Sequence, residues 1–315
     1  MKKKASIVIP IFNEEKGIVN FLDNQLFPAL EKLSLETEVI LVDDGSSDRT
    51  LERVRKTKIF LKSSTKLVAF SRNFGKELAL SAGMHEATGD AVVLIDADGQ
   101  HPVSAIFQMI EKWREGAQVV TAVSSDKQTR HRLGSKLFSI LMKGLGNKNY
   151  NPRAMDFRLV DRVVVDEFNK LTERTRLTRG LIDWLGFKQE YIEVKISRRG
   201  AGKASYSRKK LAALAVDALA SSSRTPLLIF GYIGAFITLC SGALGLFILV
   251  QQYILGDPLG LEWAGAVAMS VFVAFLVGLV LISQAITALY VSQIQIEAKN
   301  RPLYVIDPKK SKGLR

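Results

Sequence analysis

Between Ser6 and Val123 the chain alternates short apolar runs with longer amphipathic stretches. The runs Ser6–Ile11, Glu38–Val42, Lys66–Phe70, Ala91–Ile95 and Gln118–Val123 are rich in β-branched residues and predict strands buried on both faces. Helices are predicted between them, over Glu14–Leu33, Asp48–Thr57, Lys76–Ala87 and Pro102–Glu115. Asp48 and Ser104 suit helix starts, and Gly89 suits a helix end. Repeated strand–helix units predict an α/β domain with a mainly parallel sheet and helices on both faces.

The pattern changes near Arg224. Two long apolar runs follow, roughly Leu227–Leu255 and Trp263–Val291, with no Lys or Arg from Thr225 to Ala298. A bilayer core needs about 20 apolar helical residues, so each run predicts a membrane-spanning helix. The connector Gly256–Glu262 carries no basic residue, whereas Arg208, Lys209, Lys210, Arg224, Lys299, Arg301, Lys309, Lys310, Lys312 and Arg315 lie on the outer flanks. The positive-inside rule places both flanks, and with them the N-terminal domain, in the cytoplasm. Leu211, Leu214, Ala218 and Leu219 form one helical stripe behind basic residues, which predicts an amphipathic helix on the membrane surface. The expected organisation is a cytoplasmic α/β domain over 1–207, a juxtamembrane helix over 208–226, two transmembrane helices over 227–291 and a basic cytoplasmic tail over 292–315.

Composition fits this division. A mean hydropathy of +0.12 with 24% charged residues averages a polar part and a very apolar part. The lone cysteine, Cys240, excludes an intramolecular disulfide and a cysteine metal site. Met1–Phe12 reads as a first strand, not a signal peptide, because acidic residues follow at once without a small-residue cleavage site. The net charge of +13 points to an anionic partner: nucleic acid, a membrane surface or a phosphorylated substrate.

Ligands of open α/β sheets bind beyond the carboxyl ends of the strands. Four consecutive predicted strand ends carry polar groups: Pro10 to Glu15 with Asn13, Asp43 to Asp48, Ser71 to Lys76, and Asp96 to Gln100. Asp96 and Asp98, two residues apart just past a strand, can face one hard cation such as Mg²⁺ or Mn²⁺. Such an ion would stabilise a diphosphate leaving group. Asp43-Asp44-Gly45-Ser46 reads as a plain turn or as a contact to the base and ribose of a nucleotide. Arg72, Asn73 and Lys76 read as cap and surface residues or as phosphate and sugar ligands at a helix start.

These four segments, Val8 to Glu15, Val42 to Asp48, Ser71 to Lys76 and Asp96 to Gln100, resemble family 2 glycosyltransferases. More narrowly, the chain resembles the polyprenyl-phosphate glycosyltransferases, which include dolichol-phosphate mannosyltransferases and bactoprenol glucosyltransferases. Asp156-Phe157-Arg158-Leu159, Arg179 to Gly186 and Arg199 to Tyr206 are similar to that subgroup's later motifs. The resemblance implies a glycosyltransferase type A fold, with Asp96 and Asp98 on the metal and diphosphate and Gln100 beside the donor. It implies that Asp44 and Glu15 contact the nucleoside, with Pro10, Asn13, Arg72, Asn73 and Lys76 completing the donor site.

Two departures stand out: His101-Pro102-Val103 follows the Asp-Ala-Asp segment where the subgroup often has Asp-Pro-Pro, and Gly202-Lys203-Ala204-Ser205-Tyr206 moves the basic residue of the last motif. The implied reaction transfers a hexose, glucose from UDP-glucose before mannose from GDP-mannose, to undecaprenyl or another polyprenyl phosphate with inversion. A lipid phosphate needs little general-base help, but two anions must be held together, which assigns Arg132, Arg158, Arg199 and Lys203 as candidates for the acceptor phosphate. Asp156 would orient Arg158 or the acceptor, or cap locally. The expected partners are a nucleotide-sugar, a polyprenyl phosphate and the cytoplasmic membrane, with no nucleic acid and with a homo-oligomer open. A processive synthase would carry a Gln-x-x-Arg-Trp motif, and no Arg-Trp pair occurs. A non-catalytic scaffold would not need both Asp96 and Asp98.

Overall fold

A computed structural model of the chain describes residues 3–125 and 154–195 (except 63 and 175), scattered positions between 250 and 300, and residues 301–314. It divides into two compact units, Met1–Ser205 with Arg301–Arg315, and Tyr206–Asn300.

The first unit is built on a seven-stranded sheet. In chain order the described elements are β1 (Lys4–Ile11), a π-helical turn (Asn20–Leu26) leading into α1 (Phe27–Glu31), β2 (Glu36–Asp43), α2 (Thr50–Val54), α3 (Lys58–Leu61), β3 (Thr65–Ala69), α4 (Lys76–Glu86), β4 (Ala91–Leu94), α5 (Ala105–Arg114), β5 (Val119–Ser124), β6 (Ala154–Asp161), α6 (Arg162–Lys170), α7 (Thr178–Trp184) and β7 (Gln189–Val194). The spatial order is β3-β2-β1-β4-β6-β5-β7. β1, β2, β3 and β4 are parallel, and β5 and β7 are parallel to each other. Among the described strands β6 alone runs antiparallel, wedged between β4 and β5. This is the mixed, mainly parallel sheet of the expected type A fold.

Burial explains the strand sequences. Ile7, Ile9 and Ile11 of β1 pack into one core with Phe21, Leu22, Leu26 and Trp113. Val8, between them, joins a second core with Val42, Val68, Ala79, Val164 and Phe168. Both faces are covered, so the strands read as continuous apolar runs rather than alternating ones.

Helices differ more from the pattern. The stretch predicted as one helix over Glu14–Leu33 is a π turn followed by a short α-helix. The Phe27 N–H donates to the carbonyl of Leu22, five residues back, and Pro28 supplies no N–H to continue the ladder. The helix expected over Asp48–Thr57 is confined to Thr50–Val54, and Thr57 instead caps α3 by accepting from the Phe60 N–H. Ser104 precedes α5 but makes no capping bond. Gly89 is not a helix end, since α4 stops at Glu86. It lies against β1, where an added Cβ would stand 2.7 Å from the Ser6 nitrogen.

The open edge of β3 is occupied by the C-terminal segment. Phe70 pairs with Ile306 and Leu67 with Lys312 as antiparallel bridges. The Leu67 N–H donates to the Lys312 carbonyl and the Lys312 N–H returns the bond, at 2.9 and 2.8 Å. An edge strand is thereby covered.

Among the described residues, no helix is long and apolar enough to cross a membrane. The expected juxtamembrane helix over 208–226 and most of the two apolar runs lie outside the described residues.

Candidate active site

β1, β2 and β4 deliver their polar residues to the same end of the sheet because they are parallel. Pro10 is the last but one residue of β1, buried and paired with Val42. Asn13, in the left-handed region at φ 53°, accepts the Ser47 N–H at 2.9 Å and donates its own N–H to Ser46 Oγ at 3.0 Å. Glu15 receives the Arg49 N–H at 3.3 Å, and its own N–H donates to Asp48 at 3.2 Å. Asn13 and Glu15 thus tie the loop after β1 to the loop after β2.

Asp44 braces a second loop. Its carboxylate accepts the Asn73 side-chain amide at 2.9 Å, the Phe74 N–H at 2.7 Å and the Gly75 N–H at 3.0 Å. Burial raises its pKa against the lowering effect of those donors. Only 3% of Asp44 is exposed, so this residue shapes the rim from within. Gly45, at φ +71°, lies under the same loop: a Cβ there would meet the Arg72 carbonyl carbon at 2.4 Å. Arg72 itself is exposed and stacks over the Phe74 ring at 4.2 Å.

The charged centre lies beside these loops. Lys76, the first residue of α4, places its ammonium 2.7 Å from Asp96 and 3.0 Å from Asp156. Burial pushes the Lys76 pKa down, but the two carboxylates outweigh it and hold the group well above its ordinary value. Burial likewise pushes Asp96 up, but His101 and Lys76 outweigh it and hold its pKa at about 2. Asp96 is therefore a carboxylate throughout the physiological range. His101 Nε2 stands 3.8 Å from Asp96, its ring tilts against Phe157 at 5.2 Å, and its buried Nδ1 meets no hydrogen-bond partner among the described residues. Asp98 accepts the Gln100 N–H at 3.0 Å across a turn made by Gly99 at φ +68°. Asp98 and Gln100 are both half-buried.

Asp156 was assigned no settled role by its sequence, and the antiparallel sense of β6 explains its arrival here. The first residues of β6 lie beside the carboxyl end of β4, with Leu94 opposite Arg158. The signal was the shared strand: Asp156 and Arg158 are two apart and point the same way.

Arg158 is placed differently from an open phosphate ligand. It is 1% exposed, 3.5 Å from Asp183, and donates to the Met155 carbonyl at 3.3 Å. Burial lowers its pKa despite Asp183 and Asp156. Arg132, Arg199 and Lys203 lie outside the described residues. The strands that precede them, β5 and β7, do end on the rim that carries Asp96 and Asp98.

A hard cation fits this donor set only with help from a substrate. Among the described residues no three His, Cys, Asp or Glu side chains gather as a ligand group. Asp96 already faces an ammonium, so Asp98 and the remaining lone pairs of Asp96 would supply the protein's share. Mg²⁺ is commonly bound in this way, by one or two carboxylates with phosphate oxygens and water.

The model of glycosyl transferase family 2 matches residues 6–171. The chain belongs to that family. As a glycosyltransferase it has close full-length relatives. It is 36% identical over 317 residues to the bactoprenol glucosyl transferase of Shigella phage SfV, covering 98% of this chain and 100% of that one. It is 37% identical over 311 residues to the prophage-derived bactoprenol glucosyl transferase of Shigella flexneri, covering 96% and 97%. A glycosyltransferase of Bacillus subtilis is 34% identical over 312 residues, covering 98% and 94%. Among solved structures, glucosyl-3-phosphoglycerate synthase from Mycobacterium tuberculosis, in complex with Mn²⁺, UDP and glucosyl-3-phosphoglycerate, shares the fold. The TM-score is 0.51 at 20% identity, over 69% of this chain and 78% of that one.

Proposed function

We infer that this glycosyltransferase moves a hexose from a nucleotide-sugar, UDP-glucose first, onto a polyprenyl phosphate in the cytoplasmic membrane. The observation that carries this reading is the extent of the match. The family model ends at residue 171, but the relatives named bactoprenol glucosyl transferase align over 96% or more of the chain, both apolar runs included.

The membrane arrangement follows the charge pattern. The stretch from Thr225 to Ala298 carries no Lys or Arg, and basic residues flank it on both sides. Met269, Val273 and Val280, in the second run, are each more than half exposed, which is costly in water and ordinary in lipid. The catalytic domain and both termini are assigned to the cytoplasmic side, behind a surface-lying helix at 208–226 and two spans within 227–291.

In the reaction, an oxygen of the lipid phosphate attacks the anomeric carbon. The bond from that carbon to the donor diphosphate breaks, and the nucleoside diphosphate leaves with the electron pair. Attack opposite the leaving group inverts the anomeric centre. A phosphate monoester is already anionic near neutral pH, so no side chain need remove a proton. Asp96 and Asp98 would hold a divalent cation, Mg²⁺ or Mn²⁺, which when bound neutralises charge on the departing diphosphate. Lys76 fixes Asp96 and Asp156 in one geometry before substrate arrives. The loop Ser71–Gly75 presents Arg72 at the rim, where a donor phosphate would meet it. Arg132, Arg199 and Lys203 are assigned to the acceptor phosphate.

Membranes containing the protein should transfer label from UDP-glucose to undecaprenyl phosphate in a reaction that needs Mg²⁺ or Mn²⁺. Label from GDP-mannose instead would change the donor and keep the reaction. No lipid-linked product from any nucleotide-sugar would overturn the reading.

A further inference from the structure

We propose that the C-terminal segment Tyr304–Lys312 is a positioning part of the donor site, which sets the loop Ser71–Gly75 from outside the sheet. The inference rests on the donor-site reading above.

The pairing does more than cover an edge. β3 ends at Ala69, but the C-terminal segment continues past that end into the loop. The Asp307 N–H donates to the Ala69 carbonyl at 2.8 Å, and the Ser71 N–H donates to the Val305 carbonyl at 2.9 Å. Ser311 Oγ accepts the Ala69 N–H at 3.0 Å and donates to the Asp307 carbonyl at 2.7 Å, closing a turn on the strand. Protection of β3 alone would require nothing beyond Ala69.

Side chains carry the contact further. Tyr304 stacks on Phe70 with ring centroids 4.9 Å apart and planes 17° apart. Phe70 meets Phe74 edge to face at 5.6 Å. The opposite partner of Phe74 is the guanidinium of Arg72. A continuous row therefore runs Tyr304–Phe70–Phe74–Arg72, from the last segment of the chain to the exposed cation at the rim.

The loop is held from two sides. Inside, Asp44 accepts from Asn73, Phe74 and Gly75. Outside, Val305 and Tyr304 hold Ser71 and Phe70. The next residue after the loop is Lys76, whose ammonium joins Asp96 to Asp156. A loop braced on one side only would leave Arg72 less well placed for the donor diphosphate, and donor affinity falls when a positioning group must be ordered on binding.

The C-terminal segment has further anchors on the domain, so its docking does not depend on Tyr304 alone. Lys312 donates to the Phe60 carbonyl at 3.0 Å and lies over the Phe60 ring, and Arg55 donates to the Lys310 carbonyl at 2.9 Å.

Two variants of the full-length protein test the proposal, Tyr304→Ala and the conservative Tyr304→Phe, which keeps the stacked ring. The Alanine variant should raise the donor KM by roughly three- to ten-fold, the range for loss of one aromatic pair, with kcat and the acceptor KM nearly unchanged. The Phe variant should restore the donor KM. Hydrogen exchange supplies a readout that does not depend on the substrates. Tyr304→Ala should speed exchange in a peptide covering residues 70–76 and leave β1 and β4 protected. Unchanged exchange at 70–76, or an equal rise in exchange through the whole sheet, would overturn the proposal. A donor KM that moves together with kcat and the acceptor KM would overturn it as well. Absence of turnover from every nucleotide-sugar would count against the proposed reaction, while the exchange result would still decide the role of the C-terminal segment.

Discussion

The Lys76 ammonium lies 3.0 Å from Asp156, although the two residues are 80 positions apart in the chain. The same nitrogen lies 2.7 Å from Asp96. One cation therefore joins the start of α4, the end of β4 and the start of β6. Removing it leaves two carboxylates facing each other without compensation. Lys76→Met should lower kcat/KM on the order of 100-fold, and Lys76→Arg should recover part of the loss. Steady-state transfer assays on the two variants check this. Full activity in Lys76→Met would show that the bridge serves folding alone.

Asp98 has a different local setting from Asp96: it accepts the Gln100 N–H at 3.0 Å within its own turn, whereas Asp96 faces the Lys76 ammonium at 2.7 Å. Asp98→Asn keeps that hydrogen bond and removes the charge. Turnover should fall about a thousand-fold, with the melting temperature nearly unchanged. Chelation of divalent ions should silence the native protein, and added Mn²⁺ or Mg²⁺ should revive it but not the variant. Equal activity with and without chelator would count against the metal.

At the other end of the sheet, Glu38 sets an acid limit on stability. It is 3% exposed, and burial raises its pKa, but bonds from Lys4, Ser6 and Thr88 outweigh burial and hold it at about 2. A depressed carboxylate stabilises the fold fully above its unfolded pKa of 4.5, and this contribution fades as pH falls towards about 2. At neutral pH the shift corresponds to roughly 3 kcal/mol. Glu38→Gln should lose stability at pH 7 and differ little from the native protein near pH 2. Chemical unfolding at several pH values in detergent would show the convergence, and parallel curves would refute it.

Gly45 permits the close approach of two loops. Its φ of +71° and the 2.4 Å contact expected of a Cβ with Arg72 backbone leave no room for alanine. Gly45→Ala should cost at least about 1–2 kcal/mol and weaken donor binding through the Ser71–Gly75 loop. Thermal unfolding and donor KM measure the two effects. An unaffected donor KM would separate Gly45 from the site.

The first five strands were legible because β-branched runs bounded by polar turns have few other solutions. Their predicted limits fall within two residues of those observed, as for Glu38–Val42 against Glu36–Asp43. The helices were less legible, since Pro28 and a π register split one predicted helix. β6 was hidden by its own chemistry. Asp156 and Arg158 look like solvent-facing residues, and only the fold shows Arg158 buried against Asp183. The clustering of Asp96 and Lys76 followed from reading strand ends, whereas the pairing of Leu67 with Lys312 joins segments too remote for any local pattern to signal. Asn13, Glu15 and Asp44 were expected to face the nucleotide, and much of their bonding instead builds the rim. Carboxylates and amides can do either, and sequence alone does not divide the two uses.

The reversed direction of β6 decides which of its residues can reach the donor. Because β5 runs with β4 and β6 runs against both, the chain leaves the sheet at Ser124 and rejoins it at Ala154 on one rim, the rim of Asp96 and Asp98. β6 therefore meets that rim at its entry and not at its exit, and Asp156 arrives there with the first residues of the strand. A parallel strand in the same slot would bring its last residues, Val160 and Asp161, to the donor end instead.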